Sequence, residues 1–303
     1  MWRLGNSVRA GGLVRKTVGV ASPSASDVAA LARSSPWRWS TLRFTAAWPG
    51  DPWRTQNLRA WLRRPDRMRV ETVDGALVQV VDASPRRTGV VTSAGDRYTA
   101  TWPWWTAPEV PRPLLRADGL VDARADPLAS GVSYDAPMYR DYFWVAMLDP
   151  VELADGRSPD ADAAVPGTEI DAVAEVEHGG RPAWEAIVRP TPAYAPRCTC
   201  CSLLRSREVD VAEAASGAGE KVVLDEYPQA YRVRLDVGTG VCVLTEAIGG
   251  STSGSGHELR IEAVDEPTGD DLFPSRPPSG PPPGPSPRPG SAPSVVHSTA
   301  TTR

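Results

Sequence analysis

Three cysteines within four residues form the densest group of reactive side chains in the sequence. Cys198, Cys200 and Cys201 make a C-x-C-C motif, and Cys242 is the fourth cysteine of the chain. Thiolates bind ions such as Zn²⁺ or Cu⁺, and Cys242 can complete a four-ligand shell if the fold brings it close. The spacing differs from the C-x₂-C of zinc knuckles, however, and no histidine lies nearby in sequence. The motif therefore predicts either a metal site, with zinc as one candidate, or an ordinary loop of reduced thiols.

Two other uses of these cysteines are open. A disulfide can join Cys198 to Cys201 or to Cys242, but it requires an oxidising compartment. Alternatively, the thiols respond to oxidation. The neighbouring cations Arg197 and Arg205 favour the thiolate, so we expect lowered thiol pKa values. A thiol-based metal or redox sensor is thus one candidate function.

The sequence contains no pattern typical of a hydrolase or of a nucleotide-binding enzyme. The histidines His178, His257 and His297 are far apart and lack metal-binding spacing. The stretch Gly250–Gly254 has threonine where a nucleophile elbow requires serine. Gly217–Lys221 is too short for a phosphate-binding loop. We therefore assign no catalytic residue and expect a protein that is not an enzyme.

Charge and hydropathy argue against two classes of partner. The 303-residue chain has a formal net charge of -4, without the basic footprint that nucleic-acid binding requires. No apolar run approaches the roughly 20 residues of a membrane-spanning helix. The segment that begins at Met1 is positively charged but lacks the apolar centre of a signal peptide. We therefore expect a cytoplasmic protein with no transmembrane segment and no nucleic-acid partner.

Tryptophan is frequent, with 11 residues against 3 phenylalanines. Each tryptophan combines a large apolar area with one N–H donor. Their abundance predicts either a broad core or an apolar cavity. Trp102, Trp104 and Trp105, next to Pro103, are candidates for the rim of such a cavity, and Trp61 for its lining. Ordinary packing is the alternative for all four tryptophans.

Alternation of apolar and polar residues predicts an antiparallel sheet. Asn57–Asp82 forms a meander in which Asp74-Gly75 is a typical two-residue hairpin turn. In Tyr231–Val237 the alternation is clearest, and it places Leu235 inward and Arg234 outward. The predicted strands cover residues 37–48, 53–62, 67–73, 76–82, 88–93, 97–102, 168–177, 181–189, 208–213, 222–226, 231–237, 241–247 and 258–264.

Two helices are predicted beside these strands. One covers Asp27–Arg33 and begins at a capping serine, Ser24 or Ser26. The other covers Met138–Leu148, with Asp135 as its N-cap.

Composition divides the chain into three parts. Residues 1–25 are expected to be flexible, residues 26–273 to form one domain, and residues 274–303 to form a disordered Pro-rich tail. The tail cannot bury enough apolar surface to offset the entropy of ordering. It either docks a protein partner or simply aids solubility.

Three stretches resemble the LolA-like lipoprotein-carrier superfamily. They are LRAWLRRPDRMRVETVDGALVQVVD at 58–82, RLDVGTGVCVLTEA at 234–247 and IEAVDEPTGDDLF at 261–273. The resemblance implies a mainly β (α+β) fold: a curved, unclosed antiparallel β-barrel with covering helices around an apolar cavity. It also implies that Arg64, which precedes Pro65, contacts the covering helices.

The same resemblance implies a non-enzymatic protein that binds a lipid or another hydrophobic small molecule. A structural or regulatory interaction protein with a closed cavity is the alternative. The carriers are exported, whereas this sequence shows neither a signal peptide nor a lipobox cysteine. The arginine-rich, lysine-poor composition is in keeping with an actinobacterial branch of the superfamily.

Overall fold

The computed structural model describes residues 22–274, except positions 53, 84–85, 94–95, 104–112, 125–133, 158–164 and 216–223. For residues 86–93 and 96–103 only the backbone is described. The Pro-rich tail and nearly all of the predicted N-terminal flexible segment therefore lie outside the described residues. Docking of a partner by the tail stays a prediction.

Most of the strands join one antiparallel sheet. The described strands are β1 (Thr41–Ala47), β2 (Leu58–Arg63), β3 (Arg67–Thr72), β4 (Leu77–Asp82), β5 (Arg86–Ser93), β6 (Asp96–Pro103), β7 (Leu114–Leu115), β8 (Val121–Ala123), β9 (Thr168–His178), β10 (Arg181–Pro190), β11 (Ala230–Asp236), β12 (Cys242–Ile248) and β13 (Gly256–Val264). Within the described part of the chain, nine of them pair in the order β4-β3-β2-β1-β13-β12-β11-β10-β9, and β5–β6 and β7–β8 form separate hairpins. The sheet ends at β4 and β9, so it does not close, which confirms the predicted fold class.

The register of the sheet follows the alternation in the sequence. In β11, Tyr231, Val233 and Leu235 are buried, whereas Arg232 and Arg234 are half-exposed. Successive side chains of a strand point to opposite faces, so one face of the sheet forms the core. The predicted inward position of Leu235 is confirmed.

Three helices lie beside the sheet in the described residues. They are α1 (Ala25–Ser34), α2 (Tyr142–Leu148) and α3 (Arg207–Ala215). The Ser24 side chain accepts a hydrogen bond from the Asp27 N–H, and Asp27 accepts one in return, which completes a capping box. α1 packs against β9, β10 and β11, and α2 packs against β12. None of the described helices is long and apolar enough to cross a bilayer.

The prediction of a strand at residues 208–213 is wrong, because this segment lies in α3. An alternating strand would place Val209 and Val211 on one face, but Val209 is buried and Val211 is 62% exposed. The Ser206 hydroxyl accepts a hydrogen bond from the Val209 N–H at 3.3 Å and caps the first turn. The predicted strand at 222–226 is also wrong in its described part, since residues 224–226 form no strand.

Two predicted boundaries are wrong as well. α2 begins at Tyr142 with Asp141 as its N-cap, because Arg140 has a left-handed backbone (φ 62°) that interrupts any helix starting near Asp135. The first strand begins at Thr41, since residues 35–37 form a 3₁₀ turn after α1.

Candidate functional site

A cavity of about 710 Å³ opens between the core face of the sheet and α2. On the sheet side it is lined by Tyr231 of β11 and Thr245 of β12, and on the other side by Tyr139, Phe143 and Trp144. Residues 199–203 also line it, as do Thr252 and Ser255 of the turn after β12 and Gly256 at the start of β13. The lining is mostly apolar. Its volume lies within the range typical of small-molecule sites, about 300–1,000 Å³.

Aromatic rings packed against one another form one wall of the cavity. The ring centroids of Trp48 and Phe143 are 5.8 Å apart, and those of Trp48 and Trp144 are 5.7 Å apart. Tyr139 meets Trp144 edge to face at 5.0 Å. Such contacts stabilise beyond the area they bury, so they add to the stability of this wall. The sequence identified these residues only as core or helix-face positions.

The phenol of Tyr139 is the unusual polar group of this wall. Tyr139 is 1% exposed, and its hydroxyl has no hydrogen-bond partner among the described residues. A buried polar group without a partner costs about 1–3 kcal/mol of stability. Native proteins seldom retain such a group without a reason.

Two arginines line the cavity, and two carboxylates in the same wall neutralise the first of them. Arg54 donates hydrogen bonds to the carboxylates of Asp51 (3.0 Å) and Asp141 (2.8 Å). Burial opposes the effect, but these two carboxylates raise the pKa of Arg54. Arg140 is exposed and has no ion pair in the described residues. The Asp141 N–H donates to the Tyr139 carbonyl at 2.7 Å, closing a tight turn around the left-handed Arg140.

His257 supports the cavity wall in its neutral form. Its Nδ1 lies 2.8 Å from the Thr245 hydroxyl and its Nε2 lies 2.9 Å from the Cys242 carbonyl. The carbonyl can only accept, so Nε2 carries the proton and Nδ1 accepts from Thr245. Burial lowers the pKa of His257 to about 4. Its role in this geometry is therefore structural.

The three cysteines of the C-x-C-C motif come together on one turn. Residues 199–201 form a 3₁₀ turn that follows the extended Cys198. The Cys198 and Cys200 sulfur atoms are 2.6 Å apart, and those of Cys200 and Cys201 are 3.6 Å apart. All three sulfur atoms lie within 4.8 Å of one another. We call Cys198, Cys200 and Cys201 the thiol cluster; Cys200 and Cys201 also line the cavity.

A buried carboxylate holds the segment that carries the thiol cluster. Glu152 is 2% exposed and accepts hydrogen bonds from the Arg197 N–H (3.3 Å) and the Leu203 N–H (3.0 Å). The Tyr194 hydroxyl donates to the same carboxylate at 2.5 Å. Burial raises the pKa of Glu152. One side chain thus fixes both ends of the segment at 197–203.

The predicted lowering of the thiol pKa values is wrong for Cys200 and Cys201. Burial, together with the hydrogen bond to Cys198, raises the pKa of both. Arg197 is instead paired with Asp135 and Asp149, and Arg205 with Asp210. These carboxylates neutralise the two arginines, so the cations that were expected to favour the thiolates are already paired.

Cys242 is not part of the thiol cluster. It is fully buried in β12, and its thiol donates to the Leu244 carbonyl at 3.4 Å. Burial raises its pKa. The expected fourth ligand is therefore absent from the cluster. The four cysteines are free thiols in this structure.

Arg64 lies in the turn between β2 and β3 and contacts the end of α1. Its guanidinium donates to the carbonyl oxygens of Ser35 (2.8 Å) and Trp39 (3.2 Å) and lies 3.4 Å from the Trp39 ring centroid. Ser35 is the C-cap of α1. Arg64 therefore contacts the C-terminal end of α1, and its role in the lid and in ligand uptake stays a prediction.

Arg64 belongs to a larger charge cluster, which we define as Arg64, Arg124, Asp135, Asp149 and Arg197. Asp149 is fully buried and bridges Arg124, at 2.5 Å, to Arg197. Burial opposes ionisation, but the two arginines hold the pKa of Asp149 below its usual range. Burial lowers the pKa of Arg64 to about 9, which leaves it charged at neutral pH. The cluster joins segments that are far apart in the sequence.

Of the four predicted tryptophans, Trp61 alone has a described side chain, so the rim formed by the other three stays a prediction. Trp61 does not line the cavity; it lies on the opposite face of the sheet, where it lines a small groove with residues 266–272. The reason is the strand alternation, which turns Trp61 away from the buried Ala60 and Leu62. The Trp102 backbone is in β6 but its side chain is not described, and Trp104 and Trp105 lie outside the described residues.

Comparison with known proteins gives only a loose structural likeness. No protein-family model and no curated protein matches the chain. Solved structures that resemble this chain include a crystal structure of MucB and one of MucB in complex with MucA(peri). Their TM-scores are 0.34 and 0.33 and their identities 14% and 15%, over 82% and 83% of this chain. The chain spans about 60% of the length of either structure, and a likeness this loose carries no argument about function.

Proposed function

We propose that this protein binds a hydrophobic small molecule or lipid in the cavity between the sheet and α2. The observation that carries the proposal is the cavity itself, which is mostly apolar, holds about 710 Å³ and is open to solvent. Its wall is stabilised by aromatic contacts, which limits the ordering required when a ligand enters. A closed cavity, as the interaction-protein alternative requires, fits this geometry less well.

The polar groups of the wall indicate what kind of ligand fits. The Tyr139 hydroxyl has no partner among the described residues and is itself covered, so it can donate to an acceptor on the ligand once the side chain moves toward the cavity. Arg140 lines the cavity, and its exposed guanidinium can neutralise an anionic group. An amphiphile with an apolar body and a carboxylate meets both conditions. A long-chain fatty acid is the simplest molecule of this class.

Binding is tested with a neutral apolar fluorophore, N-phenyl-1-naphthylamine, titrated into the purified protein and then displaced by palmitate or hexadecanol. We expect saturable binding of the probe and stronger displacement by palmitate than by hexadecanol. Arg140→Gln should remove the difference between the two competitors while leaving probe binding intact. No saturable binding of the probe would rule the proposal out.

A matched pair of variants locates the binding to the cavity. Thr252 lines the cavity and Ser253, the next residue in the same turn, does not. Thr252→Trp should fill part of the cavity and weaken probe binding about tenfold or more, which is about 1.4 kcal/mol. Ser253→Trp adds the same indole outside the cavity and should leave binding unchanged. Equal effects of the two variants would place the probe elsewhere.

A further inference from the structure

The thiol cluster has the donor geometry of a metal site. Three thiols near each other in sequence need not converge, because alternate side chains of an extended chain point apart. Here the 3₁₀ turn at residues 199–201 follows the extended Cys198 and brings all three sulfur atoms within 4.8 Å. Both ends of the segment are held by Glu152. The fold therefore maintains the convergence.

Three sulfur ligands around one ion need wider separations than those of the free thiols. A metal–thiolate bond is about 2.3 Å long, so three thiolates in a trigonal arrangement have sulfur atoms about 4 Å apart. The observed separations of 2.6 Å for Cys198–Cys200 and 3.6 Å for Cys200–Cys201 are shorter. Cys200 is exposed and its two partners are half-exposed, so these side chains have room to rotate outward. The required adjustment is local.

The donor set selects the class of ion. The group of converging ligand atoms contains sulfur only, with no histidine or carboxylate in it. All-thiolate sites favour soft ions such as Cu⁺, whereas a structural Zn²⁺ site uses four ligands. Cys242 does not supply that fourth ligand, because it is buried in β12 and bonded to the Leu244 carbonyl.

We propose that Cys198, Cys200 and Cys201 bind a single Cu⁺ ion through three thiolates. Each thiol transfers its proton to the solvent as its sulfur binds the ion, and no oxidation or reduction of the protein is involved. This site is distinct from ligand binding in the cavity and does not depend on it. Two of its ligands line the cavity, however, so both sites are accessible from the same opening.

The experiment is an anaerobic titration of the reduced full-length protein with Cu⁺ in competition with a colorimetric Cu⁺ chelator. We expect one Cu⁺ per chain and an ultraviolet thiolate-to-copper charge-transfer band. Loss of a residue that only orients a metal ligand already costs up to about 100-fold in affinity. Cys198→Ser, Cys200→Ser and Cys201→Ser should therefore each weaken binding at least that much. Cys242→Ser should leave the affinity unchanged.

A second measurement does not rely on variants. Iodoacetamide labelling followed by peptide mass spectrometry should modify the three cluster thiols in the metal-free protein and spare all three after Cu⁺ is added. Cys242 should be unmodified in both states because it is buried. Absence of stoichiometric Cu⁺ binding would overturn the proposal. It would also be overturned if Cu⁺ left the labelling of the cluster unchanged, or if Cys242→Ser lost as much affinity as the cluster variants.

Discussion

The charge cluster and the cavity are built from the same two segments, but one is packed with charged groups and the other is an open, mostly apolar volume. α2 contributes Phe143 and Trp144 to the cavity, and Asp149, the residue after it, to the charge cluster. The loop at 197–203 likewise places Arg197 in the cluster and Leu203 at the cavity.

In the cluster, Asp149 pairs with Arg124 and Arg197, and Arg64 donates to two carbonyl oxygens. One nitrogen each of Arg64 and Arg197 has no partner among the described residues. At the cavity, a volume is open and the buried Tyr139 hydroxyl has no partner in the described part of the chain.

This difference distinguishes side chains that hold the fold together from side chains that surround an open volume. A buried ion pair contributes little net stability, but it makes the arrangement specific, because breaking it leaves a charge without a partner. The charge cluster therefore fixes how the covering segments lie on the sheet. An open apolar cavity has no such structural role, and exposed apolar surface of this kind typically marks a binding site. The charge cluster holds the covering segments in place, whereas the cavity beside it is an open volume.

Removing one charge from the cluster should produce the largest loss of stability. Asp149→Asn keeps the shape of the side chain but leaves Arg124 and Arg197 without their shared carboxylate. Breaking a buried ion pair from one side costs about 3–5 kcal/mol. Urea unfolding followed by circular dichroism should show this loss.

The control is an ion pair at the protein surface. Asp171 pairs with Arg189 at 2.6 Å, and both side chains are largely exposed, at 62% and 45%. Asp171→Asn should therefore change the free energy of unfolding by less than about 1 kcal/mol. If both variants were equally stable, the charge cluster would not hold the fold.

On the cavity side, His257 should make stability depend on pH. Burial, with smaller contributions from His178 and Arg54, lowers its pKa from 6.5 to about 4. The unfolded chain then binds more protons than the native state between these values, so stability falls as the pH falls from 6.5 to 4. The contribution present above pH 6.5 is about 3 kcal/mol.

A variant isolates this effect from other acidic groups. The raised pKa of Glu152 acts in the opposite direction, because the folded state binds its proton more readily and gains stability as the pH falls. His257→Gln keeps a donor for the Cys242 carbonyl and removes the titration. Unfolding free energies measured from pH 7 to pH 4.5 should fall less steeply for His257→Gln. Parallel curves would mean that His257 does not titrate in this range.

The local parts of the fold were predictable from the sequence. Asp74-Gly75 was predicted as a two-residue hairpin turn. A hairpin does join β3 and β4 there, but its connection covers residues 73–76, and Gly75 has a left-handed φ of 93° whereas Asp74 does not. The alternation in Tyr231–Val237 gave the correct buried face of β11. Both signals act over a few residues, through the twist of the turn and the period of the strand.

The site was not predictable in the same way, because its residues are distant in sequence. Nothing local links Arg64 to Asp149, or Tyr231 to Phe143. The misassigned strand at 208–213 shows the opposite difficulty, since two valines spaced by two fit a strand, whereas the Ser206 cap and neighbouring alanines favour a helix. The sequence does not determine whether the three cluster thiols converge, because their convergence depends on the 3₁₀ turn at residues 199–201.

The smallest expected effect comes from removing the Tyr139 hydroxyl, and its sign is the informative part. Tyr139→Phe keeps the ring that meets Trp144 edge to face and removes the buried hydroxyl that has no partner in the described residues. The unliganded protein should gain about 1 kcal/mol of stability. Palmitate should bind a few-fold more weakly if its carboxylate accepts from Tyr139, since a hydrogen bond contributes about 0.5–1.5 kcal/mol. N-phenyl-1-naphthylamine, which offers no carboxylate, should bind as before.

Tyr194→Phe is the matched control, because Tyr194 is buried but fully engaged. Its hydroxyl donates to Glu152 at 2.5 Å and accepts from the Leu204 N–H at 3.0 Å. Removing it leaves a buried carboxylate with one donor fewer, so this variant should lose about 1–3 kcal/mol of stability. The same chemical change should therefore stabilise the protein at the cavity and destabilise it near the charge cluster. A loss of stability in Tyr139→Phe as large as in Tyr194→Phe would show that the Tyr139 hydroxyl serves the fold rather than a ligand.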